Sequence, residues 1–232
     1  ENICVIQVRN SSVRLPYKSI KLINKISLIE HVYNSVKLSK KLNKIIVATS
    51  THNSDNEIEK IFKNKNITCF RGSRLNVAKR FEDLLKKYKP YYFIRISGDS
   101  PLLDYKIIND LLILSKKNKY DIITNVFPRT YPKGQSVEII KTSVFLKQIK
   151  QISKKKNYYE NVTTYFYKYF KKFKIYNLKN LKNYSNINLS VDTENDFKII
   201  KGMIILNKAK YKSWYYNKNL YLKIINGKYK KK

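Results

Sequence analysis

A short loop near the start of the chain holds residue types that bind phosphate groups. Residues 3–8 form an apolar run rich in β-branched side chains, which predicts a buried strand. The polar loop that follows contains three cations and two hydroxyl groups: Arg9, Ser11, Ser12, Arg14 and Lys18. Ligands of open α/β sheets bind at the carboxyl ends of the strands, so we expect this loop to face a polyphosphate. The alternative is a solvated surface loop, since lysine is abundant throughout the chain.

Two aspartates follow predicted strands in the same way. Asp99 comes after the apolar run 91–96, and Gly98 before it allows the sharp turn that presents a carboxylate at the sheet edge. Asp192 follows a second predicted strand, residues 187–191. Carboxylates at two strand ends are suited to share one Mg²⁺ with the phosphates of a substrate. The alternative for Asp192 is that it only begins the turn into the next helix.

These residue types suit phosphoryl or nucleotidyl transfer, which depends on positioning and charge neutralisation rather than on a covalent nucleophile. Arg14 and Lys18 would neutralise the β- and γ-phosphates of a nucleotide, beside a metal ion held by Asp99 and Asp192. The sequence has no Walker motif, no pair of Cys-x-x-Cys motifs and no Gly-x-Gly-x-x-Gly motif. The P-loop, zinc-binding and dinucleotide-binding classes are therefore unsupported.

Strand-like and helix-like patterns alternate along the chain. Strands are predicted at residues 3–8, 44–49, 67–70, 91–96, 122–125, 137–141, 174–178 and 187–191. Capping boxes beginning at Ser27 and Thr193 start two of the predicted helices. The alternation predicts an α/β fold with a largely parallel sheet covered by helices on both faces.

The pattern changes after residue 127. Pro128, Pro132 and Gly134 lie in a loop before the predicted strand 137–141, a combination that favours a hairpin arm projecting from the sheet. An aromatic-rich helix is predicted at residues 158–170.

Composition restricts the class of protein. The 232 residues carry a formal net charge of +33, from 42 lysines and seven arginines against 16 acidic residues. Lys, Asn, Ile and Tyr share A/T-rich codons. An A/T-rich genome therefore explains the positive charge at least as well as selection for binding to a polyanion. The alternative is a nucleic-acid-binding module, based on the basic and aromatic stretch 154–172. In a helix, however, such aromatics belong more often to the core, and we expect no specific nucleic-acid partner.

Two cysteines give no disulfide framework, and no apolar run approaches the length of a membrane span. A cytoplasmic protein without a membrane partner is expected.

Six segments in order resemble a known family. They read QVRNSSVRLPYK, KIIVATS, CFRGS, RISGDSPLLD, NVFPRTYPKGQSVEI and SVDTENDF. Together they resemble the SpsF-type cytidylyltransferases, which are related to the CMP-Kdo and CMP-sialate synthetases. The resemblance implies a Rossmann-like nucleotide-diphosphosugar transferase fold, mostly parallel with a projecting β-arm, in a homodimer. The implied activity is Mg²⁺-dependent coupling of CTP to a sugar acid or a related phosphorylated acceptor, with release of pyrophosphate, in surface polysaccharide biosynthesis.

The resemblance also implies roles for individual residues. The nucleotide-binding set is Arg9, Ser11, Ser12, Arg14, Lys18, Thr49, Ser50, Arg71, Ser97 and Gly98. The catalytic set is Arg14, Lys18 and Asp99, the metal ligands are Asp99 and Asp192, and the acceptor-binding set is Arg95, Arg129 and Glu138. The expected domains are residues 1–212 for nucleotidyl transfer, with the arm at about 127–141, and a C-terminal extension at 213–232 with a Lys-rich tail.

Several positions depart from the family pattern, and most lie in the acceptor half. Ser11 and Tyr17 stand where the loop commonly has glycine. The acceptor-half departures are Gln135, Ser136, Asn161 and Asn188. Two alternatives follow: a homologue that binds nucleotide with weak or altered activity, or a glycosyltransferase of the same fold. The Asp-x-Asp metal motif usual in such glycosyltransferases is not formed by residues 99–101.

Overall fold

The computed structural model describes residues 2–117, 119–208 and 210–227. In these ranges the strands are β1 (Asn2–Gln7), β2 (Leu22–Ile23), β3 (Ile26–Ser27), β4 (Lys44–Ser50), β5 (Cys69–Gly72), β6 (Tyr92–Ser97), β7 (Ile122–Thr124), β8 (Glu138–Lys141) and β9 (Ile175–Asn177). The α-helices are α1 (Leu28–Lys37), α2 (Asn56–Lys63), α3 (Val77–Tyr88), α4 (Tyr105–Ser115), α5 (Thr142–Ile152), α6 (Lys156–Glu160), α7 (Thr164–Lys168), α8 (Glu194–Leu206) and α9 (Trp214–Ile225).

Seven of the strands form one sheet in the order β5-β4-β1-β6-β8-β7-β9. Strands β5, β4, β1 and β6 are mutually parallel, β8 runs antiparallel to both of its neighbours, and β9 is parallel to β7. The two-residue strands β2 and β3 pair separately. The prediction of a largely parallel sheet is confirmed.

Helices cover both faces of the sheet, as the alternation predicts. Cys4 and Ile6 of β1 belong to one buried cluster, which includes apolar residues of α1, α2 and α4. Ile3 and Val5 belong to the opposite cluster, with residues of α3 and α5. Because alternate side chains of a strand point to opposite faces, one short apolar run anchors both layers.

A third buried cluster lies beside the small β2–β3 ladder. It joins α8 and α9 to the segment before them, with Leu189, Phe197 and Leu220 among its members. Helix α9 therefore packs against α8. The division of the chain at residue 212 stays a prediction, and the Lys-rich tail, residues 228–232, lies outside the described residues.

The segment expected to project as an arm differs from the prediction. β8 pairs with both β6 and β7 inside the sheet, and Glu138, Ile139 and Ile140 are all buried. An arm would have left the two isoleucines exposed to water on both faces, which is unfavourable by about 1.5–3 kcal/mol for each side chain. The expectation of a projecting arm at residues 127–141 is therefore wrong for residues 138–141, which form β8 inside the sheet.

Two other predicted elements are interrupted. Residues 187–191 are not a regular strand: Asn188 forms a single bridge with Lys133, which itself lies in a loop. The aromatic stretch 158–170 contains α7 and the end of α6 rather than one helix. Phe166 is fully buried beside Phe145, as a core interpretation requires. Among the described residues, no helix has the length and apolar character needed to span a membrane.

Candidate active site

A cavity of about 290 Å³ opens at the carboxyl ends of β1 and β6. Nine of the predicted site residues line it: Arg9, Ser11, Ser12, Arg14, Lys18, Ser97, Gly98, Asp99 and Asp192. The loop after β1 supplies the cations on one side, and the ends of β6 and of the segment before α8 supply the carboxylates on the other. The predicted convergence of a basic loop and two carboxylates is therefore found in the structure.

Gly98 lets β1 and β6 approach each other at the bottom of this cavity. A Cβ atom at residue 98 would lie 2.7 Å from the Val8 Cβ atom and 2.9 Å from the Gln7 carbonyl oxygen. Real Cβ atoms do not come this close to their neighbours, so a side chain here would push the two strand ends apart. The close approach of the two strands, rather than the backbone conformation of the turn, requires glycine at this position.

Lys18 lies between the two carboxylates. Its Nζ atom is 3.3 Å from the Asp99 Oδ2 atom, 3.2 Å from the Asp192 Oδ1 atom and 2.6 Å from the Val191 carbonyl oxygen. Arg14 approaches the same Asp192 oxygen at 3.0 Å, with 68% of its side chain exposed against 13% for Lys18. Lys18 is therefore a partly buried cation fixed by three oxygens, whereas Arg14 is free to take another partner.

The backbone brings the two aspartates together. The Val191 amide donates to the Asp99 carbonyl oxygen at 2.9 Å, which places the end of β6 beside the residue preceding Asp192. Asp196 holds the backbone of Asp192, because the Asp196 Oδ2 atom accepts from the Asp192 amide at 3.1 Å. Asp196 also belongs to the capping box of α8. Asn188 donates to the other oxygen of Asp196 at 3.0 Å, so this departure from the family pattern supports the segment that carries Asp192.

The donor set fits a hard divalent cation. Asp99 and Asp192 converge on one positive charge, and Mg²⁺ is commonly bound by one or two carboxylates together with phosphate oxygens and water. In the described part of the chain, no cluster of three or more His, Cys, Asp or Glu side chains could hold a metal by itself. A metal held by these two carboxylates would complete its coordination with water or phosphate oxygens.

Asp55 supports the loop from below and was missed as a site residue. The sequence indicates only a helix cap, but its carboxylate accepts from the Asn10 amide at 2.8 Å and from the Ser50 amide at 3.1 Å, and bonds the Ser50 hydroxyl. The Asn10 side chain in turn bonds Ser19. The buried carboxylate thus connects the loop after β1 to the end of β4.

A second cavity, of about 430 Å³, adjoins the first and shares Ser97 and Asp99 with it. The three predicted acceptor residues, Arg95, Arg129 and Glu138, all line it. Arg95 forms an ion pair with Glu138, whose side chain is 3% exposed, and also donates to Gln7 at 3.1 Å. The antiparallel ladder places Arg95 directly opposite Glu138.

Tyr167 completes this ion pair and was also missed. Its hydroxyl donates to the second Glu138 oxygen at 2.6 Å and lies 3.3 Å from the Thr124 hydroxyl. Burial raises the pKa of Tyr167 well above its ordinary value, and the Glu138 carboxylate adds to the shift. Tyr167 therefore stays a protonated donor, and the Glu138 charge is balanced within the protein.

The remaining cations of the second cavity are less committed. Arg129 donates to Ser136 at 3.0 Å, and Lys133 is an exposed residue of the wall. Burial lowers the pKa of Arg129, which the Glu138 carboxylate partly opposes. These two side chains are the ones placed to receive an anionic group.

Gly134 and Gln135 fix the wall that carries them. Gly134 has φ +86°, and a Cβ atom there would lie 2.5 Å from the Leu189 backbone, so glycine is required. The buried Gln135 amide donates to the Leu102 carbonyl oxygen at 2.8 Å and accepts from the Asp104 amide at 2.9 Å. The departure from the family pattern at residue 135 is a satisfied structural link.

Three predicted nucleotide-binding residues lie away from both cavities. Thr49 and Ser50 are fully buried at the end of β4, and the Thr49 hydroxyl has no hydrogen-bond partner. Arg71 contacts Glu59 at 2.7 Å and donates to the Ser50 and His52 carbonyl oxygens. The structure gives Thr49 and Ser50 no access to a ligand and commits Arg71 to local contacts.

Comparison with known proteins gives a consistent family. The sequence model of the Cytidylyltransferase family matches residues 3–219. The spore coat polysaccharide biosynthesis protein SpsF of Bacillus subtilis is 25% identical over 208 residues, covering 86% of this chain and 84% of that protein. The 3-deoxy-manno-octulosonate cytidylyltransferase of Fusobacterium nucleatum is 36% identical over 121 residues, or 50% of this chain and 46% of that enzyme.

A solved structure extends the similarity to the whole fold. A cytidylyltransferase from Leptospira borgpetersenii superposes with a TM-score of 0.86 at 27% identity, covering 98% of this chain and 94% of that one. The Rossmann-like fold and the resemblance to SpsF-type enzymes are confirmed. The chain belongs to the cytidylyltransferase family and is a nucleotidyltransferase.

Proposed function

We propose that this enzyme is a Mg²⁺-dependent cytidylyltransferase that transfers CMP from CTP to a sugar acid or a related phosphorylated acceptor, for surface polysaccharide biosynthesis. The observation that carries the proposal is the position of Lys18. This lysine belongs to the loop after β1, and its ammonium group contacts both Asp99 and Asp192 on the opposite wall of the cavity. The family and the functions of these relatives support the nucleotide and the class of acceptor.

The two adjoining cavities suit two substrates. The first, with Arg9, Arg14 and Lys18, would hold the triphosphate, and the second would hold the acceptor. An acceptor oxygen attacks the α-phosphorus, the bond from that phosphorus to the bridging oxygen breaks, and pyrophosphate leaves. The α-phosphate would lie near Asp99, which both cavities share.

Six charged side chains of the two cavities have roles in the proposed reaction. Arg14 and Lys18 neutralise the departing pyrophosphate, and this is worth most in a site that excludes water. Asp99 and Asp192 would hold Mg²⁺, which supplies charge neutralisation at the phosphates. Arg129 and Lys133 would bind the negative charge of the acceptor, because Arg95 is already paired with Glu138.

A melting-temperature screen with each nucleoside triphosphate, with and without Mg²⁺, tests the nucleotide. A ligand at about 100 times its Kd stabilises a fold by about 2.7 kcal/mol. We expect a Mg²⁺-dependent shift that is larger for CTP than for ATP, GTP or UTP and that persists in 0.3 M salt, followed by pyrophosphate release with an acidic-sugar acceptor. Equal shifts with all four nucleotides that salt removes would contradict the proposal, since they indicate bulk charge only.

The homodimer and the cytoplasmic location, expected from the resemblance and from the composition, stay predictions. Sedimentation of the purified protein decides the first.

A further inference from the structure

Arg80 is a fully buried arginine behind the loop that lines the first cavity. It lies on α3. In the described part of the chain, every hydrogen bond of its guanidinium group is donated to a backbone carbonyl oxygen. The Nε and Nη2 atoms donate to the Ser73 oxygen at 3.0 and 2.8 Å. The Nη1 atom makes longer contacts with the Val8 oxygen, at 3.5 Å, and the Ala48 oxygen, at 3.4 Å.

These three carbonyl groups belong to three neighbouring chain segments. Ala48 is in β4, Val8 directly follows β1, and Ser73 directly follows β5. One planar guanidinium therefore joins the ends of three parallel strands at the edge of the sheet where the cavity opens, a geometry that the single ammonium of lysine does not reproduce.

A buried positive charge is unfavourable for stability, and a hydrophobic side chain of similar volume would fill the space without that penalty. Burial lowers the pKa of Arg80 to about 10; the Asp55 carboxylate opposes the shift and the Arg9 cation adds to it. The backbone is also shaped around this side chain, because a Cβ atom at Gly72 would lie 2.9 Å from the Arg80 Cγ atom. Gly72 thus leaves room for a long side chain, and the charged end of Arg80 is buried there at an energetic penalty.

Asp55 acts on the same stretch from the other side. Its carboxylate binds the Asn10 amide, while Arg80 contacts the Val8 carbonyl oxygen. Between these two fixed peptide groups lies Arg9, the first cation of the cavity wall. A buried cation and a buried anion therefore hold the backbone on both sides of Arg9.

We infer that Arg80 is a positioning residue: together with Asp55 it fixes the backbone of residues 8–10 and so holds the loop 9–18 in the conformation that receives a triphosphate. The nature of the ligand rests on the proposed function, whereas the effect on the loop does not. Arg80 itself lines neither cavity.

Two variants of Arg80 and one control test the inference. Arg80→Met removes the charge and the fork, and Arg80→Lys keeps the charge but loses the fork. Leu85→Ala, on the same helix and also fully buried, removes core packing without touching the loop. All three are expected to lower the melting temperature, so stability alone does not separate them.

Hydrogen exchange of the protein without nucleotide measures the loop directly. The Asn10 and Tyr17 amides are hydrogen-bonded in the structure, to Asp55 and to the Asn10 carbonyl oxygen. We expect both amides to exchange about tenfold faster in Arg80→Met and Arg80→Lys than in Leu85→Ala. Each variant is measured at the same interval below its own melting temperature. Equal exchange in all three variants would overturn the inference.

Binding of inorganic pyrophosphate and steady-state kinetics with CTP measure the consequence. We expect the pyrophosphate Kd and the KM for CTP to rise about tenfold in both Arg80 variants, with kcat changed less than about threefold, and neither constant to change in Leu85→Ala. An Arg80 variant with a faster-exchanging loop and wild-type pyrophosphate affinity would also overturn it. If the wild type releases no pyrophosphate from CTP, the proposed function fails, and the exchange measurement still decides whether Arg80 holds the loop.

Discussion

The two cavities use their charges in different ways. In the first, Arg14 is 68% exposed and Lys18 is shared by two carboxylates that also face the cavity. In the second, Arg95 and Glu138 are buried against each other, and Tyr167 occupies the remaining carboxylate oxygen. The first cavity therefore keeps one exposed cation, Arg14, and two carboxylates, 24% and 30% exposed, that can take metal or phosphate as partners. The carboxylate of the second cavity is 3% exposed, and its ion pair joins two strands of the sheet.

A charged residue in a cavity wall is therefore not by itself a binding residue. Arg95 and Glu138 match family positions and line a cavity, yet their mutual contact satisfies them. Substitutions on the two sides should separate loss of activity from loss of stability.

The largest expected effect is that of Asp99→Asn. Both cavities share this carboxylate, and its loss removes a charge next to the proposed position of the reacting phosphate. We expect pyrophosphate release to fall by about 10²–10³-fold, with little change in melting temperature. Asp110→Asn, an exposed aspartate on α4, is the control and should keep wild-type turnover. Near wild-type activity of Asp99→Asn would remove it from the catalytic and metal sets.

Arg95→Met should act mainly on stability. It leaves the Glu138 carboxylate buried without its cation, and breaking a buried ion pair in this way lowers the free energy of unfolding by about 3 kcal/mol. Denaturant unfolding measures the change. The double variant Arg95→Met, Glu138→Gln should recover part of the loss, because the stranded charge is gone. A stable Arg95→Met protein that fails only in acceptor binding would instead make Arg95 a binding residue.

Arg14→Met should show the opposite pattern. Its ion pair with Asp192 is exposed, so we expect the free energy of unfolding to change by less than about 1 kcal/mol. The KM for CTP should rise about tenfold, equivalent to about 1.4 kcal/mol of lost binding. Lys21→Met provides the matched control, because Lys21 pairs with Glu194 outside both cavities. Equal KM values for the Arg14 and Lys21 variants would contradict the role of Arg14.

The smallest expected effect is that of Thr49→Val. The Thr49 hydroxyl is buried without a partner, so its replacement by a methyl group should leave stability unchanged or raise it by up to about 1 kcal/mol. The KM for CTP should stay at the wild-type value. A higher KM would support the nucleotide-binding role that the family resemblance implies for Thr49.

The sequence predicts the layers of this fold well, because each depends on local patterns. β1 follows from an apolar run, and the capping boxes at Ser27 and Thr193 begin α1 and α8 where expected. The rule for strand ends brings the cation loop and Asp99 together, whereas Asp192 follows a segment, residues 187–191, that is not a regular strand in the structure.

The sequence does not reveal contacts that depend on register. Arg95 meets Glu138 only because β8 enters the sheet antiparallel to β6, and an apolar run such as 137–141 carries no sign of strand direction. Tyr167 belongs to an aromatic-rich stretch whose other members, such as Phe166, are core residues, so nothing in the pattern marks it. Asp55 resembles an ordinary helix cap, and its bond to Asn10 spans 45 positions along the chain.

The antiparallel position of β8 has a consequence for how such an enzyme can diversify. Thr124 and Glu138 are paired across the β7–β8 ladder, so the segment between them starts and finishes at adjacent points of a rigid sheet. A segment anchored in this way can change in length at a small entropic penalty. A change in this segment would alter the lining of the second cavity, while β1 and β6, whose ends line the first cavity, would stay unchanged. Any changed segment must retain the Gly134 turn and the Gln135 hydrogen bonds, since these attach residues 125–137 to the rest of the molecule.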